Sequence, residues 1–211
     1  MGKAGPTIII ADDHPLFSVA LRLGVKHVAP DAEVIEVASF DALREAVRRH
    51  PQASLVLLDL MMPDVEGLSA LQFLRDEFSA LRVCIVSGAP ARTWVRAAEA
   101  LGAVGYIPKS TSPDQMQQIL RALLGDGSWW PELEPESAQE GSVDARIERL
   151  SPQELRILLR IKDGRLNKQI ADELGIAEST VKTHITMLLR KLDLQSRTQA
   201  AVLAQKVMTG S

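Results

Sequence analysis

Thr7-Ile8-Ile9-Ile10-Ala11-Asp12-Asp13 decides the fold. A short run that is apolar on both faces suits a strand covered by helices on either side, as in a parallel sheet. Here it ends abruptly on two carboxylates. Comparable short runs recur at Glu33–Val37, Leu55–Leu58, Val83–Val86 and Val104–Ile107. Helical periodicity fills the intervals at Leu16–His27, Phe40–His50, Leu68–Phe78, Arg92–Leu101 and Pro113–Leu124, the last opened by the capping sequence Ser112-Pro113-Asp114-Gln115. Five strands alternating with five helices predict an α/β doubly wound parallel sheet over residues 1–127.

Ligands of an open parallel sheet bind beyond the carboxyl ends of its strands. Asp12-Asp13 follows the first strand, Asp59 the third, Ser87 the fourth and Lys109 the fifth. Any one of these alone is an ordinary polar residue at a strand end. Together they bring three carboxylates, a hydroxyl and an ammonium to one edge. Clustered carboxylates repel one another, and a hard cation such as Mg²⁺ relieves the repulsion while also binding phosphate oxygens. Asp59 then becomes a nucleophile able to carry a phosphoryl group as an acyl phosphate. Lys109 can neutralise the added charge and Ser87 can donate to a phosphoryl oxygen. The glycine-rich phosphate loops and the G-x-S-x-G elbow are absent.

Beyond Gly125-Asp126-Gly127, the acidic stretch 128–149 carries Pro131, Pro135 and Gly141 with no clear period and reads as a linker. Its adjacent Trp129-Trp130 is expected to pack onto a domain. Residues 150–211 lack a strand pattern. Ser151-Pro152-Gln153-Glu154 caps a helix ending near Gly164, followed by Asn167–Leu174, a glycine turn at Gly175, a helix over Ser179–Leu192 and a last helix over Arg197–Val207. This is a small all-α helix-turn-helix domain.

The net charge of −3 argues against a nucleic-acid partner until it is divided. Residues 1–127 carry 12 basic and 15 acidic groups, 128–149 carry 2 and 6, and 150–211 carry 10 and 6, a net +4. The basic share falls on the helix-turn-helix. Within 179–192, Val181, Ile185, Leu188 and Leu192 form an apolar stripe, opposite Ser179, Lys182, Thr183, Thr186 and Arg190. Such an acid-free polar face suits the major groove of double-stranded DNA.

No apolar run is long enough to cross a bilayer, no secretion signal is visible, and Cys84 is the sole cysteine. These features predict a cytoplasmic protein without a membrane or disulfide framework.

Ala11-Asp12-Asp13-His14-Pro15, Asp59-Leu60-Met61-Met62-Pro63 with Gly67, Val86-Ser87-Gly88 and Gly105-Tyr106-Ile107-Pro108-Lys109 resemble the receiver domain of two-component response regulators. Leu150-Ser151-Pro152-Gln153-Glu154, Asn167-Lys168-Gln169-Ile170-Ala171, Ser179 to His184 and Arg190-Lys191-Leu192 with Arg197 resemble the LuxR-type domain of NarL/FixJ response regulators. The resemblance implies a flavodoxin-like strand order 2-1-3-4-5. It implies Asp59 as acceptor from a sensor histidine kinase, and Mg²⁺ on Asp13, Asp59 and the Met61 carbonyl, with Asp12 assisting through water. Ser87 and Tyr106 match the switch positions, and Lys109 the phosphoryl partner. Lys182, Thr183 and Thr186 would face bases. Thr180, His184, Lys168, Arg190, Lys191 and Arg197 would contact or support contacts to the DNA backbone, and the last helix would form a homodimer. No turnover is implied beyond phosphorylation and dephosphorylation of Asp59 itself.

The sequence departs from the receiver pattern at Ser110, where many receivers have proline after the lysine, and from the LuxR-type pattern at two places. Thr186 stands where relatives are often basic, and Ala177 where a Ser or Thr cap is common. Two rival readings are a constitutive DNA-binding regulator whose non-switching receiver serves dimerisation, and a metal-dependent phosphatase. The complete set Asp12, Asp13, Asp59, Ser87 and Lys109 argues against the first. The second leaves the helix-turn-helix unexplained.

Overall fold

The structure, a computed structural model, describes residues 5–62, 68–88, 92–132 and 143–209. Five parallel strands, β1 (Thr7–Ala11), β2 (Glu33–Val37), β3 (Leu55–Asp59), β4 (Val83–Ser87) and β5 (Gly105–Pro108), lie in the order β2-β1-β3-β4-β5. Helices α1 (Pro15–Val28), α2 (Phe40–Arg49), α3 (Ser69–Glu77), α4 (Arg92–Ala100) and α5 (Pro113–Leu124) alternate with them. This is the doubly wound fold expected. β3 and β4 are buried at every position, as strands covered on both faces must be. Ile8, Ile10, Leu55, Leu57, Cys84, Val86 and Ile107 pack with Leu21 and Val25 of α1 and Met116, Ile119, Leu120 and Leu123 of α5. Burial holds the Cys84 thiol far above its ordinary pKa.

β3 and β4 each run one residue further than the sequence pattern indicates, so that Asp59 and Ser87 are themselves the last strand residues. β5 lies one residue later than expected. Parallel pairing reaches these ends: Asp59 stands beside Val86, and Ser87 beside Pro108.

The chain after α5 is tied back to the sheet. Arg82 donates to the carbonyls of Leu123 (3.0 Å) and Gly127 (2.6 Å) and pairs with Asp126 at 3.0 Å. Trp129 then bridges to Gly105, where a Cβ would stand 2.7 Å from the Trp129 carbonyl oxygen. Trp129 thus packs on the first domain.

Residues 143–148 form a sixth helix, α6 (Val143–Glu148), inside that stretch. The remaining helices are α7 (Pro152–Lys162), α8 (Asn167–Leu174), α9 (Glu178–Lys191) and α10 (Arg197–Thr209). The α7 capping box is complete: Ser151 Oγ accepts from the Glu154 amide (3.2 Å), and Glu154 Oε2 from the Ser151 amide (2.6 Å). At α5, Ser112 supplies one half, accepting from the Gln115 amide. Gly175 ends α8 in the left-handed conformation (φ +65°) that glycine adopts without strain.

Contacts divide the chain into two units, residues 1–91 with 101–132, and residues 92–100 with 133–211. The sequence groups α4 with the first domain, whereas its contacts group it with the second unit. The physical reason is hydrogen bonding to helix-end carbonyls. Arg96 donates to Ile147 O (3.4 Å) and Leu150 O (2.6 Å), and Arg156 donates to Ala100 O (2.7 Å).

Candidate functional site

In the first unit, β1 and β3 deliver their carboxylates to one edge. Asp12 and Asp59 are buried, and Asp13 is partly exposed. Lys109 Nζ lies 2.8 Å from Asp12 Oδ2 and donates to Asp59 Oδ2 at 2.8 Å. It also stands 5.0 Å from the centre of the Phe17 ring. Burial opposes the Lys109 ammonium, but its contacts with Asp12 and Asp59 outweigh this and raise its pKa above the ordinary value. The other Asp59 oxygen, Oδ1, accepts from the Met61 amide at 3.1 Å, which orients the carboxylate. Pro63 and Gly67, part of the quoted motif, lie outside the described residues.

Ser87 is buried at the end of β4, and the Lys109 amide donates to its carbonyl at 2.7 Å. Tyr106 is fully buried, with its side chain hydrogen-bonded to Ser87. Burial, partly offset by that bond and reinforced by Asp59, raises the phenol pKa. The tyrosine therefore already fills the space beside Ser87.

His14 carries no role in the sequence reading, yet it joins the cluster. Its Nδ1 is 2.8 Å from Asp13 Oδ1, 3.2 Å from Asp12 Oδ1 and 3.6 Å from Asp59 Oδ2. Its place directly after Asp12-Asp13 is the available sequence signal. A hard cation fits this donor set. Asp12 Oδ2 and Asp13 Oδ1 are buried without a well-directed hydrogen bond, although a nitrogen stands 2.8 Å from each, so both oxygens retain lone pairs for a metal.

In the second unit, α8, the Gly175 turn and α9 form the expected helix-turn-helix. Val181, Leu188 and Leu192 are buried, while Ile185 is only half-buried. Lys168, Thr180, Lys182, Thr183, Thr186 and Arg190 are exposed. The helix begins at Glu178, which pairs with Lys182 at 2.9 Å, and Ala177 supplies no side-chain cap. Thr183 and Thr186 donate to the carbonyls of Ser179 and Lys182, each at 3.1 Å.

Two basic residues expected near the DNA backbone are tied inside the unit. Lys191 Nζ donates to the buried Glu154 at 2.6 Å. Arg197 donates to Asn167 Oδ1 at 2.9 Å and to the Arg165 carbonyl. Both are hydrogen-bonded within the second unit. His184 is half-buried, and its Nδ1 is without a hydrogen-bond partner. No described helix is long and apolar enough to cross a membrane.

Residues 8–121 match the response regulator receiver domain family, and residues 148–204 match the luxR family of bacterial regulatory proteins. The chain is 36% identical over 207 residues to the glycerol metabolism activator of Pseudomonas putida, covering 93% of this chain and 94% of that one. It is 35% identical over 205 residues to the nitrate/nitrite response regulator NarL of Escherichia coli K12, covering 93% of each. The RcsB response regulator of Salmonella typhimurium shares the fold, with TM-score 0.59 at 22% identity over 96% of this chain and 99% of that one. The chain is a member of the two-component response regulators of the NarL/FixJ type, with a receiver domain followed by a LuxR-type DNA-binding domain.

Proposed function

We propose that Asp59 takes the phosphoryl group of a sensor histidine kinase and that the modified chain regulates transcription through α9. The observation that carries this reading is the meeting of Asp12, Asp13, Asp59 and Lys109 at the carboxyl edge of the sheet. An Asp59 oxygen attacks phosphorus, the bond to the donor's imidazole nitrogen breaks, and the donor histidine leaves neutral after protonation. Asp13, Asp59 and the Met61 carbonyl would hold Mg²⁺, with Asp12 assisting through water. Bound there, the ion screens the charge of the carboxylates and of the phosphoryl oxygens.

Lys109 is already within reach of Asp59 and follows the charge onto the phosphoryl group. Ser87 donates to the same group after exchanging its hydrogen bond with Tyr106 for one to the phosphoryl oxygen. A change in the Ser87–Tyr106 pair is the element through which phosphorylation shifts the receiver between conformations. Residues 1–127 serve as the phosphoacceptor domain and 150–211 as the DNA-binding domain. Exposed Val202 on α10, beside Leu194 and Thr198, supports a homodimer contact through that helix. Incubation with acetyl phosphate and Mg²⁺, followed by intact-mass measurement and a DNA titration, tests this function. The phosphorylated chain should bind its operator more tightly. Absence of any phosphoryl adduct would instead support a constitutive regulator.

On the DNA side, Lys182, Thr183 and Thr186 read bases, while Lys168, Thr180 and Arg190 meet phosphates. His184 stands at the flank of this surface. Because both threonine hydroxyls donate back into the helix, they present a lone pair and a methyl group outward. That favours a thymine methyl or an amino group of adenine or cytosine. The exposed Lys182–Glu178 pair is cheaply exchanged for a base contact. Lys182→Ala should cost about 1–3 kcal/mol of operator binding and relax base preference at one position. Arg190→Ala should weaken operator and non-operator DNA alike and lower the salt slope by about one. Salt titrations on both DNA types separate the two effects.

A further inference from the structure

We infer that Glu178 is a specificity-determining residue of the DNA-binding helix, acting through Lys182: it holds that lysine for an uncharged base edge and denies it to the phosphates of unrelated sequence. The inference rests on the reading of α9 as the helix that enters DNA. Glu178 opens α9 and is its single acidic residue. Its Oε1 lies 2.9 Å from Lys182 Nζ, one turn further along. A glutamate four residues before a lysine is the favourable order for such a pair. The contact draws the ammonium back over the first turn, the part of a recognition helix that meets base edges. Arg197, on the rim of the depression that Glu178 borders with Lys168 and Asn167, is already committed to Asn167 and the Arg165 carbonyl.

Both partners face water, with Lys182 64% and Glu178 45% exposed, so separating them costs little. What decides the exchange is the group that receives Lys182. A guanine edge offers two neutral acceptors, O6 and N7, and leaves the freed carboxylate beside an uncharged base. A phosphate takes Lys182 only by bringing its own negative charge next to that carboxylate, and like charges at such range repel. Without Glu178 the same lysine would be drawn to the phosphate backbone, which supplies nearly all of the affinity for unrelated sequence. The carboxylate therefore works by penalising the wrong contact, one of the two ways in which an interface acquires specificity.

The test uses the full chain, Glu178→Gln, Lys182→Ala and the double variant, each incubated with acetyl phosphate and Mg²⁺. All are titrated across salt concentration with the duplex that the wild type selects best from a random pool and with a scrambled duplex of equal length. Glu178→Gln should bind the scrambled duplex about fivefold more tightly at about 0.15 M salt, with a salt slope steeper by about one, the mark of one further phosphate contact. Affinity for the selected duplex should change less, so discrimination falls by a similar factor. In the Lys182→Ala background the same substitution should alter neither slope nor discrimination, because the ammonium it acts through is gone. A carboxylate in the first turn also steadies a helix through its dipole. Were that its whole role, Glu178→Gln would weaken both duplexes alike and leave the slope unchanged, which overturns the inference. An effect that persists without Lys182 overturns it as well. A wild type that selects no sequence, or a Lys182→Ala chain that binds every duplex as the wild type does, overturns the reading of α9 itself and the inference with it.

Discussion

Asp59→Asn should abolish uptake of a phosphoryl group from acetyl phosphate or a kinase, read as the loss of the added mass on the intact chain. The substitution keeps the shape of the side chain and an acceptor oxygen for the Met61 amide, now 3.1 Å away. What it removes is the anionic oxygen that must attack phosphorus, and an amide is a poor substitute. Stability should not fall. Two buried carboxylates share the single Lys109 ammonium, so neutralising one leaves a matched pair and relieves their mutual repulsion. A variant that still gains phosphoryl mass would place the acceptor elsewhere. Unchanged or raised thermal stability alongside lost uptake separates chemistry from folding.

Glu154→Ala should destabilise the second unit by about 3 kcal/mol, at the lower end of the range for breaking a buried ion pair because Lys191 retains some water contact. That is a large share of the 5–15 kcal/mol that usually holds a domain together. One carboxylate accepts from both the Ser151 amide and Lys191, each at 2.6 Å, and so joins the start of α7 to the end of α9. Removing it exposes two donors at once, and α9 loses its anchor. Glu154→Gln, which keeps the cap but not the charge, should cost less.

The same residue predicts a pH dependence. Burial works against its ionised form, but Lys191 and the Ser151 donors outweigh burial and hold its pKa below the ordinary value. A lowered folded pKa means that stability is fully present above the unfolded value, about 4.3, and drains away as pH falls through the folded one. Calorimetry of the full chain should therefore show the second unit's melting temperature dropping below about pH 4.3. The drop should be shallower in Glu154→Gln.

The strands were legible because apolar runs and the carboxylates that end them are local patterns. The convergence of Asp12, Asp13, Asp59, Ser87 and Lys109 is legible in the sequence, since a parallel sheet brings all its strand ends to one edge. The six residues of α6 were not legible. Val143–Glu148 is too short to display a period, and it is held by burial of Ile147 and by Arg146 donating to Leu192 O at 2.8 Å. Lys191 and Arg197 looked like any basic residue beside a recognition helix. Their partners, Glu154 and Asn167, lie 37 and 30 residues away. Grouping of α4 with the second unit likewise depends on arginine contacts across more than 50 residues.

The sequence by itself determined which groups arrive at the sheet edge and which helix bears the outward polar face, because strand alternation and helical period act over a few residues. Only the tertiary structure decided what those groups do to one another. It placed the His14 ring among the carboxylates, set Tyr106 inward on Ser87, and turned Lys191 toward Glu154. These choices depend on charge and burial brought together by folding, and no spacing along the chain encodes them.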